Sequence, residues 1–242
     1  MYVKNAFSID KKAIKSLHCG EGKIIFVNFR KNYYPLLPSL EIMSVVGLDL
    51  AGVETRPTGY CKLVDMEVET CLVYSDQEIL NMIREVRPEI VAIDAPLSLP
   101  PGRKTLEERN SAHLRDCDRE LLKRGIKFLP LTLGPMRKLT ERGICLKKIF
   151  QSECFVIVEA YPGGAQDILR ISRKQKGLDK LKAGLENLGL TGLRNNMSDH
   201  ELDAVTCAYV GRLFLDGKAV VYGCLDDGIV MPMGEKNKES PK

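Results

Sequence analysis

Three short apolar runs in this chain each end on a carboxylic acid, and this pattern strongly restricts how the chain can fold. Near-continuous apolar runs of this length are typical of strands that are buried on both faces, at the centre of a parallel or mixed sheet. A carboxylate is costly to bury beside such a strand, so its presence needs a physical reason. The runs are VVGLDLAG (45–52), IVAIDAPL (90–97) and FVIVEAYPG (155–163), which carry Asp49, Asp94 and Glu159 respectively.

The order of the predicted elements indicates a sheet with helices on its faces. Two segments of roughly alternating character, residues 58–66 and 67–75, follow the first run over a short connection, as in an antiparallel meander. A helical pattern over 76–88 leads into the strand at 90–94, which predicts parallel strands joined by a right-handed crossover. With the strand near 155–159, these elements predict an α/β fold: an RNase H-like mixed five-stranded sheet, built of an antiparallel meander plus parallel strands and flanked by helices.

The chain divides into one large domain with a segment at each end. At 242 residues, with 44% hydrophobic and 28% charged residues, it can bury the core of one α/β domain. We expect an irregular N-terminal appendage over residues 1–43, an RNase H-like domain over 44–233, and a charged, disordered tail over 234–242. The domain carries a charged helical insert at about 105–150. Two closing segments, AVVYG and GIVMP, have the composition of strands.

A fourth acid, Asp203, lies near the start of a long predicted helix over about 199–216. Its stripe on that helix continues through Cys207, Val210 and Phe214, so the aspartate lies on or beside the face that meets the sheet. Ligands in open α/β sheets bind just beyond the carboxyl ends of the strands, where acids from neighbouring parallel strands converge. A single aspartate after a strand is about as often a helix cap, but four acids on converging elements are harder to explain in that way.

The expected clustering of these acids predicts a divalent cation. Like-charged carboxylates within a few ångströms raise one another's pKa and destabilise the fold, so a positive charge has to offset them. No Lys or Arg lies close in sequence to Asp49, which makes a hard cation the economical partner. Mg²⁺ or Mn²⁺ takes oxygen ligands and leaves room for phosphate. Two such ions about 3.5–4 Å apart form an arrangement that hydrolyses phosphodiesters, so we expect a metal-dependent phosphodiesterase acting on nucleic acid.

Several motifs, in a fixed order, resemble those of the family called domain of unknown function 429, whose members are described as predicted nucleases with an RNase H fold. The resemblance covers about residues 44–231 and implies acidic catalytic residues and metal ligands at Asp49, Asp94, Glu159 and Asp203. Proteins of that fold usually carry their acids on strands one and four and on the final helix. Glu159, on strand five, therefore has an alternative role, in which it orients the site without touching metal. The motifs are GLDLAG, AIDAPLSLP, RDCDRELLKRGI, VEAYPGGAQDIL and HELDAVTCAYVG.

Basic residues and glycines near the acids are candidate substrate-binding groups, and each has a structural alternative. A Lys or Arg beside the site can reach a backbone phosphate, but mixed charges at helical spacing are more often a solvated face. Paired glycines between a strand and a helix allow close backbone approach to phosphate, or simply form a tight turn. The candidates are Arg103, Lys104, Arg115, Arg119, Gly163, Gly164, Arg173 and Lys174.

Two other functions remain open from the sequence. Sugar kinases and actin-like ATPases share this type of sheet, and GLDLAGVET loosely resembles their phosphate-binding first hairpin. Those ATP-binding proteins duplicate the domain, however, and this chain has length for one copy. The other alternative is a non-catalytic scaffold that binds nucleic acid or protein, although a dead site has no reason to keep acids that repel one another.

Composition restricts the partners and the location of the protein. The net charge of +4 permits contact with nucleic acid without requiring it, and 6% aromatic residues with no Trp offer no evident platform for base stacking. The sequence does not distinguish DNA from RNA, and it leaves a homodimer open. No apolar run approaches the roughly 20 residues that span a bilayer, and the first residues are too polar for a secretory signal. We therefore expect no membrane partner and a cytoplasmic location.

Overall fold

The computed structural model describes residues 43–108, 111–224 and 226–234. The predicted N-terminal appendage, apart from Met43, lies outside the described residues, as does the predicted disordered tail, apart from Gly234. The described residues therefore cover the predicted RNase H-like domain, apart from residues 109, 110 and 225.

Seven strands of the described chain form one mixed sheet in the order β3-β2-β1-β4-β5-β7-β6. The first three strands are an antiparallel meander, β4 and β5 continue parallel to β1, β7 is parallel to β5, and β6 is antiparallel to β7. The predicted α/β class and the RNase H-like order of the first five strands are confirmed. The predicted count of five is wrong, because the closing segments extend the sheet beyond β5. The strands are β1 (Ser44–Asp49), β2 (Thr58–Val64), β3 (Glu67–Val73), β4 (Ile90–Asp94), β5 (Ile157–Ala160), β6 (Ala219–Tyr222) and β7 (Ile229–Pro232).

Six α-helices in the described ranges flank this sheet. Within those ranges, no helix combines the length and the apolar character needed to cross a membrane. A short 3-10 turn, Lys174–Lys176, precedes the fifth helix. The helices are α1 (Asp76–Val86), α2 (Asp116–Lys123), α3 (Gly134–Ser152), α4 (Pro162–Ile168), α5 (Leu178–Asn187) and α6 (Asp199–Leu215).

The sheet separates two apolar cores because successive side chains of a strand point to opposite faces. On one face, Val45 of β1 and Ala92 of β4 pack in a core with the buried residues of α5 and α6. On the other face, Val46 and Val91, their neighbours in the chain, share a core with α1 and α3. We call these the α6 face and the α3 face. A third core, built around Leu121, lies between α2 and the outer strands β6 and β7.

Two glycines allow α6 to lie directly on the first two strands. A Cβ atom on Gly47 would stand 2.1 Å from the carbonyl oxygen of Ala204, and one on Gly59 would stand 2.0 Å from that of His200. Both distances are far too short for any side chain, so the helix backbone fills the space that a side chain would take. The small residues Ala204 and Ala208 on α6 complete this close approach. The first turns of α6 consequently lie over the carboxyl end of β1.

The start of α6 is fixed by its cap. The Ser198 hydroxyl accepts a hydrogen bond from the Glu201 amide, and the Glu201 carboxylate accepts one from the Ser198 amide, so the two residues form a capping box. Thr70 on β3 and Arg194 also donate to the Glu201 carboxylate. The helix therefore begins at a defined position relative to the sheet, and its first acidic residues have a defined location.

Candidate active site

Three of the predicted acids come together on the α6 face, at the carboxyl end of the sheet. Asp49 and Asp94 are register partners at the ends of the parallel strands β1 and β4. Asp203 comes from α6, which lies over those ends. Burial raises the pKa of Asp94 well above its usual value, and the negative charges of Asp49 and Asp203 raise it further. We call Asp49, Asp94 and Asp203 the acid cluster.

Two members of the acid cluster are held by hydrogen bonds, and the third is not. Nδ1 of His200 donates to Asp49 Oδ2 at 2.7 Å, and this bond raises the pKa of His200. Nε2 of Gln166 donates to Asp203 Oδ1 at 2.8 Å. The carboxylate of Asp94 has no hydrogen-bond or ion-pair partner within the part of the chain that the structure describes. Two carboxylates are thus fixed in orientation, and the one between them in sequence keeps its oxygens available.

A lysine supplies positive charge at the acid cluster. Nζ of Lys174, on the 3-10 turn, lies 2.8 Å from Asp203 Oδ2 and 3.1 Å from Asp199 Oδ2. Burial works against the charged amine, but the contacts with Asp203 and Asp199 and the negative charge of Asp49 leave the pKa of Lys174 raised overall. The absence of a basic residue near Asp49 in the sequence was therefore misleading, because folding brings Lys174 and His200 to the acids from distant segments. The repulsion among the acids is partly offset by the chain itself.

The donor set of the acid cluster fits a hard divalent cation in its chemistry. All three groups are carboxylates, and Mg²⁺ and Mn²⁺ prefer oxygen ligands of this kind. The carboxylate of Asp94, which no described residue engages, is an acceptor that such an ion would satisfy. In the side-chain positions of residues 43–108, 111–224 and 226–234, no three His, Cys, Asp or Glu groups are arranged to hold an ion as they stand. Binding of an ion by the acid cluster would therefore require a rearrangement of these side chains.

Glu159 lies at the same edge of the sheet but does not join the acid cluster. It is the register partner of Ile93, whose side chain belongs to the core of the α3 face. Side chains alternate along a strand, so Glu159 points to the α3 face, while Ala160 takes the position on the α6 face. The expectation that four acids converge is thereby corrected to three. A shift of one residue in the register of β5 would place Glu159 on the α6 face. A short apolar run in the sequence does not reveal that register.

The carboxylate of Glu159 is fully engaged by other groups. Arg115 donates to both of its oxygens, at 2.6 and 2.8 Å, and the amide of Leu97 donates to one of them at 2.8 Å. Burial raises the pKa of Glu159, and the charge of Arg115 opposes that rise. Leu97 belongs to the loop that follows Asp94, so Glu159 fixes the backbone just beyond the acid cluster. The metal-ligand assignment of Glu159 stays a prediction, which these contacts disfavour, and they fit the alternative orienting role better.

Arg115 is buried at the centre of an ion-pair network on the α3 face. Its guanidinium also donates to Asp118, at 2.9 and 3.1 Å, and to the hydroxyl of Ser98 at 3.3 Å. The residue is 4% exposed, and Asp118 is 3% exposed. The predicted phosphate contact of Arg115 would require this network to open, so the structure favours the structural alternative. We call Arg115, Asp118 and Glu159 the arginine network.

The other predicted basic contacts lie outside the acid cluster or are occupied. Arg103 is buried and donates to backbone carbonyl groups, including that of Ala112 at 2.9 Å. Arg119 is exposed and pairs with Asp116 in its own helix, and Lys104 is exposed in the preceding loop. Arg173 pairs with Asp167 through two nitrogens and lies near the ring of Tyr161. Of these predicted basic residues, Lys174 is the one whose ammonium touches the acid cluster.

The paired glycines after β5 are explained by packing. A Cβ atom on Gly164 would stand 2.7 Å from the side chains of both Met231 and Tyr161, so this position has to be small for α4 to pack. At Gly163 a Cβ atom would stand 3.1 Å from the guanidinium of Arg173. Close approach of a substrate to these two glycines stays a prediction, while close approach of neighbouring side chains is observed.

Sequence reasoning missed two residues that hold the acid cluster in place. His200 lies three residues before Asp203, so both project from one side of the first turn of α6, and this spacing could have indicated it. Gln166 is buried on α4 and donates to Asp203 and to Thr206 Oγ1. Nothing in the local sequence distinguishes Gln166 from an ordinary polar residue of a short helix. Its role depends on how α4 packs against α6.

Comparison with known proteins gives limited similarity. No protein-family model matches the chain, and no curated protein matches it. A Thermus thermophilus RuvC in complex with a Holliday junction substrate is similar at a TM-score of 0.38 and 14% identity, covering 69% of this chain and 90% of that one. Another Thermus thermophilus RuvC structure has the same TM-score and identity, covering 71% and 96%.

Proposed function

We propose that this chain is a divalent-metal-dependent nuclease that hydrolyses phosphodiester bonds in DNA or RNA, with the acid cluster as its metal ligands. The observation that carries the proposal is the Asp94 carboxylate, which has no partner among the described residues and lies near the oriented carboxylates of Asp49 and Asp203 at the carboxyl end of the sheet. Carboxylates this close to one another destabilise the fold, so their retention supports a functional role. We also propose that the chain belongs to the domain of unknown function 429 family, whose motifs it resembles.

In this proposal each residue of the site has a defined task. Asp49, Asp94 and Asp203 would hold Mg²⁺ or Mn²⁺, and the bound ions would supply Lewis acidity toward the attacking water and the leaving oxygen. His200 keeps the Asp49 carboxylate in one orientation through its Nδ1 hydrogen. Gln166 does the same for Asp203. Such fixed groups lower the reorganisation that the reaction requires.

The proposed substrate is a polyanion that is recognised through its backbone. Lys174 reaches the acid cluster, and the exposed Lys176 and Lys180 follow it in sequence. Lysines at the rim of an acidic site attract and position phosphate groups without reading bases. Substrate preference between DNA and RNA, a homodimer and a cytoplasmic location belong to the same proposal as points for experiment.

The direct test is cleavage by the purified full-length chain. Labelled single-stranded, duplex and branched DNA and RNA are incubated with Mg²⁺ or Mn²⁺, with EDTA as the metal-free control. We expect metal-dependent cleavage of at least one substrate, and loss of at least about 10²-fold in rate for Asp94→Asn, because one ligand of the ion is removed. Asp179→Asn removes an exposed acid on α5 and is the matched control.

Several outcomes would contradict the proposal. Cleavage that persists in Asp94→Asn, or that EDTA leaves unchanged, would show that the acid cluster is not the nuclease centre. Tight binding of ATP in a calorimetric titration, without cleavage of any nucleic acid, would instead revive the ATP-binding alternative. Nucleic-acid binding without metal-dependent cleavage would favour the scaffold.

A further inference from the structure

Lys174 occupies a position that an ordinary surface lysine does not have. Its ammonium contacts two acids at once, Asp203 at 2.8 Å and Asp199 at 3.1 Å. The side chain of Asp203 is 8% exposed and that of Asp199 is 41% exposed, so the lysine bridges an inner acid and an outer one. Lys174 is the first residue of the 3-10 turn, so a segment between α4 and α5 brings this ammonium to the acids.

The other cations of this region are committed elsewhere. Arg173, the preceding residue, pairs with Asp167, and Arg115 pairs with Glu159 and Asp118 on the α3 face. Lys174 also acts on Asp94, because its positive charge counters the rise in the pKa of that carboxyl. Besides His200, Lys174 is thus the positive group that the described chain brings to the acid cluster.

We infer that the Lys174 ammonium is the resident counter-ion of the acid cluster, and that it has to leave Asp203 before a divalent cation can bind there. This inference rests on the proposed function for the identity of the cation ligands. An ammonium and a hard cation compete for the same carboxylate oxygen, because both require its negative charge. Asp199 lies within reach of the same Nζ atom, so Lys174 can release Asp203 while it keeps a partner. Lys174 therefore sets the affinity of the site for the cation.

The test measures binding of Mn²⁺ to the full-length protein, without any substrate. Lys174→Met keeps the length and the apolar stem of the side chain and removes its charge. We expect the Kd for Mn²⁺ from calorimetry to fall about fivefold in this variant, since a partly exposed ion pair of this kind no longer competes. Lys148→Met is the matched control, because Lys148 is exposed on α3, on the opposite face of the sheet, and its Kd should equal that of the wild-type protein.

A second readout separates competition from a general loss of stability. Without metal, Lys174→Met should have a lower Tm than the wild-type protein, because the acids lose their counter-ion. With saturating Mn²⁺, the rise in Tm should be larger in Lys174→Met than in the wild-type protein, as tighter binding to the folded state requires. A merely structural lysine would lower both melting temperatures and leave the rise unchanged.

The outcomes distinguish this inference from the proposed function. An unchanged or higher Kd in Lys174→Met, with clear Mn²⁺ binding by the wild-type protein, would overturn the counter-ion role and leave the nuclease proposal standing. A lower Kd in Lys174→Met, in a protein that cleaves no nucleic acid, would support the counter-ion role and remove the nuclease. No Mn²⁺ binding by the wild-type protein or by Lys174→Met would overturn both.

Discussion

The acid cluster and the arginine network lie at the same edge of one sheet, on opposite faces. The carboxylates of the two groups differ in how their negative charges are paired. In the arginine network, one guanidinium engages both oxygens of Glu159 and both oxygens of Asp118. In the acid cluster, three carboxylates face each other, and that of Asp94 has no partner in the described part of the chain. The first arrangement gives each of its carboxylates a direct partner, whereas the second offsets its charges only in part, through Lys174 and His200.

This difference shows how a structural carboxylate can be separated from a candidate catalytic one. Burial alone does not separate them, because Asp49, Asp203 and Glu159 are all less than a tenth exposed. Position at the end of a strand does not separate them either. The number of hydrogen-bond donors aimed at each carboxylate does, since a saturated carboxylate has no acceptor capacity left for an ion or a substrate.

The largest expected effect comes from breaking the arginine network at its centre. Arg115→Met leaves Glu159 and Asp118 buried without a counter-ion, so we expect the free energy of unfolding to fall by about 3–5 kcal/mol. Urea denaturation followed by circular dichroism measures this. Arg119→Met, which removes an exposed ion pair in the same helix, should change stability by less than about 0.5 kcal/mol. Equal stability of the two variants would refute the structural role of Arg115.

The next largest effect is expected from displacing α6, which disturbs the α6 face of the sheet and leaves the α3 face in place. In Gly47→Ala the new methyl group would collide with the backbone of α6, so we expect a loss of about 3 kcal/mol in the free energy of unfolding. Because the displaced helix carries Asp203 and His200, Mn²⁺ binding should be lost at a temperature where the variant is still folded. Gly134→Ala adds a methyl group in open space and serves as the control. Retained Mn²⁺ binding in folded Gly47→Ala would show that the acid cluster does not depend on this contact.

A smaller effect distinguishes the two kinds of carboxylate directly. Glu159→Gln keeps the shape of the side chain but removes the charge that Arg115 pairs with, and we expect a loss of about 2 kcal/mol in the free energy of unfolding. Affinity for Mn²⁺, measured by calorimetry, should change little, because Glu159 lies on the opposite face. If Mn²⁺ binding disappears instead, Glu159 is a ligand, and the separation into two groups fails.

The smallest effect has the opposite sign. Asp94→Asn removes a repelled charge, so we expect the metal-free protein to become more stable by about 1 kcal/mol at pH 8. The raised pKa of Asp94 means that the folded state binds a proton more tightly than the unfolded state. The free energy of unfolding of the wild-type protein should therefore rise as the pH falls from the raised pKa of Asp94 toward the ordinary pKa of Asp, because Asp94 takes up a proton in the folded state first. The advantage of the variant should shrink over that window, and an advantage that grows on acidification would contradict this account.

Local sequence was sufficient for much of the fold and for the acid cluster. Buried strands ending on Asp49 and Asp94, and the stripe that carries Asp203, follow from periodicity, which depends on residues near each other in the chain. The start of α6 at Ser198 follows from capping chemistry in the same way. The type and the ends of these elements depend on periodicity and capping, which are properties of each segment's own residues.

What the sequence did not reveal depends on contacts between distant segments. The local sequence does not show on which face of the sheet Glu159 lies. That face depends on the register of the four-residue strand β5 against β4. The place of Lys174 beside Asp203, and that of β7 beside β5, depend on packing that no local pattern encodes. Basic residues such as Arg115 resemble phosphate contacts in sequence until their buried partners are known. In each case the role of the residue depends on which distant strand or side chain it pairs with, and the residue type alone does not define that role.

The docking of α6 onto β1 has a consequence for biosynthesis. His200 and Asp49 touch across a separation of 151 residues, so the acid cluster forms only when most of the domain has left the ribosome. A nascent chain that has completed β1 to β5 holds the acids of the strands but lacks the helix that completes their constellation. Contacts of such long range form late in folding, because the loop between them has to close first. Under the proposed function, an unfinished or truncated chain that lacks α6 does not cleave nucleic acid. Nuclease activity then appears only when the domain has folded completely.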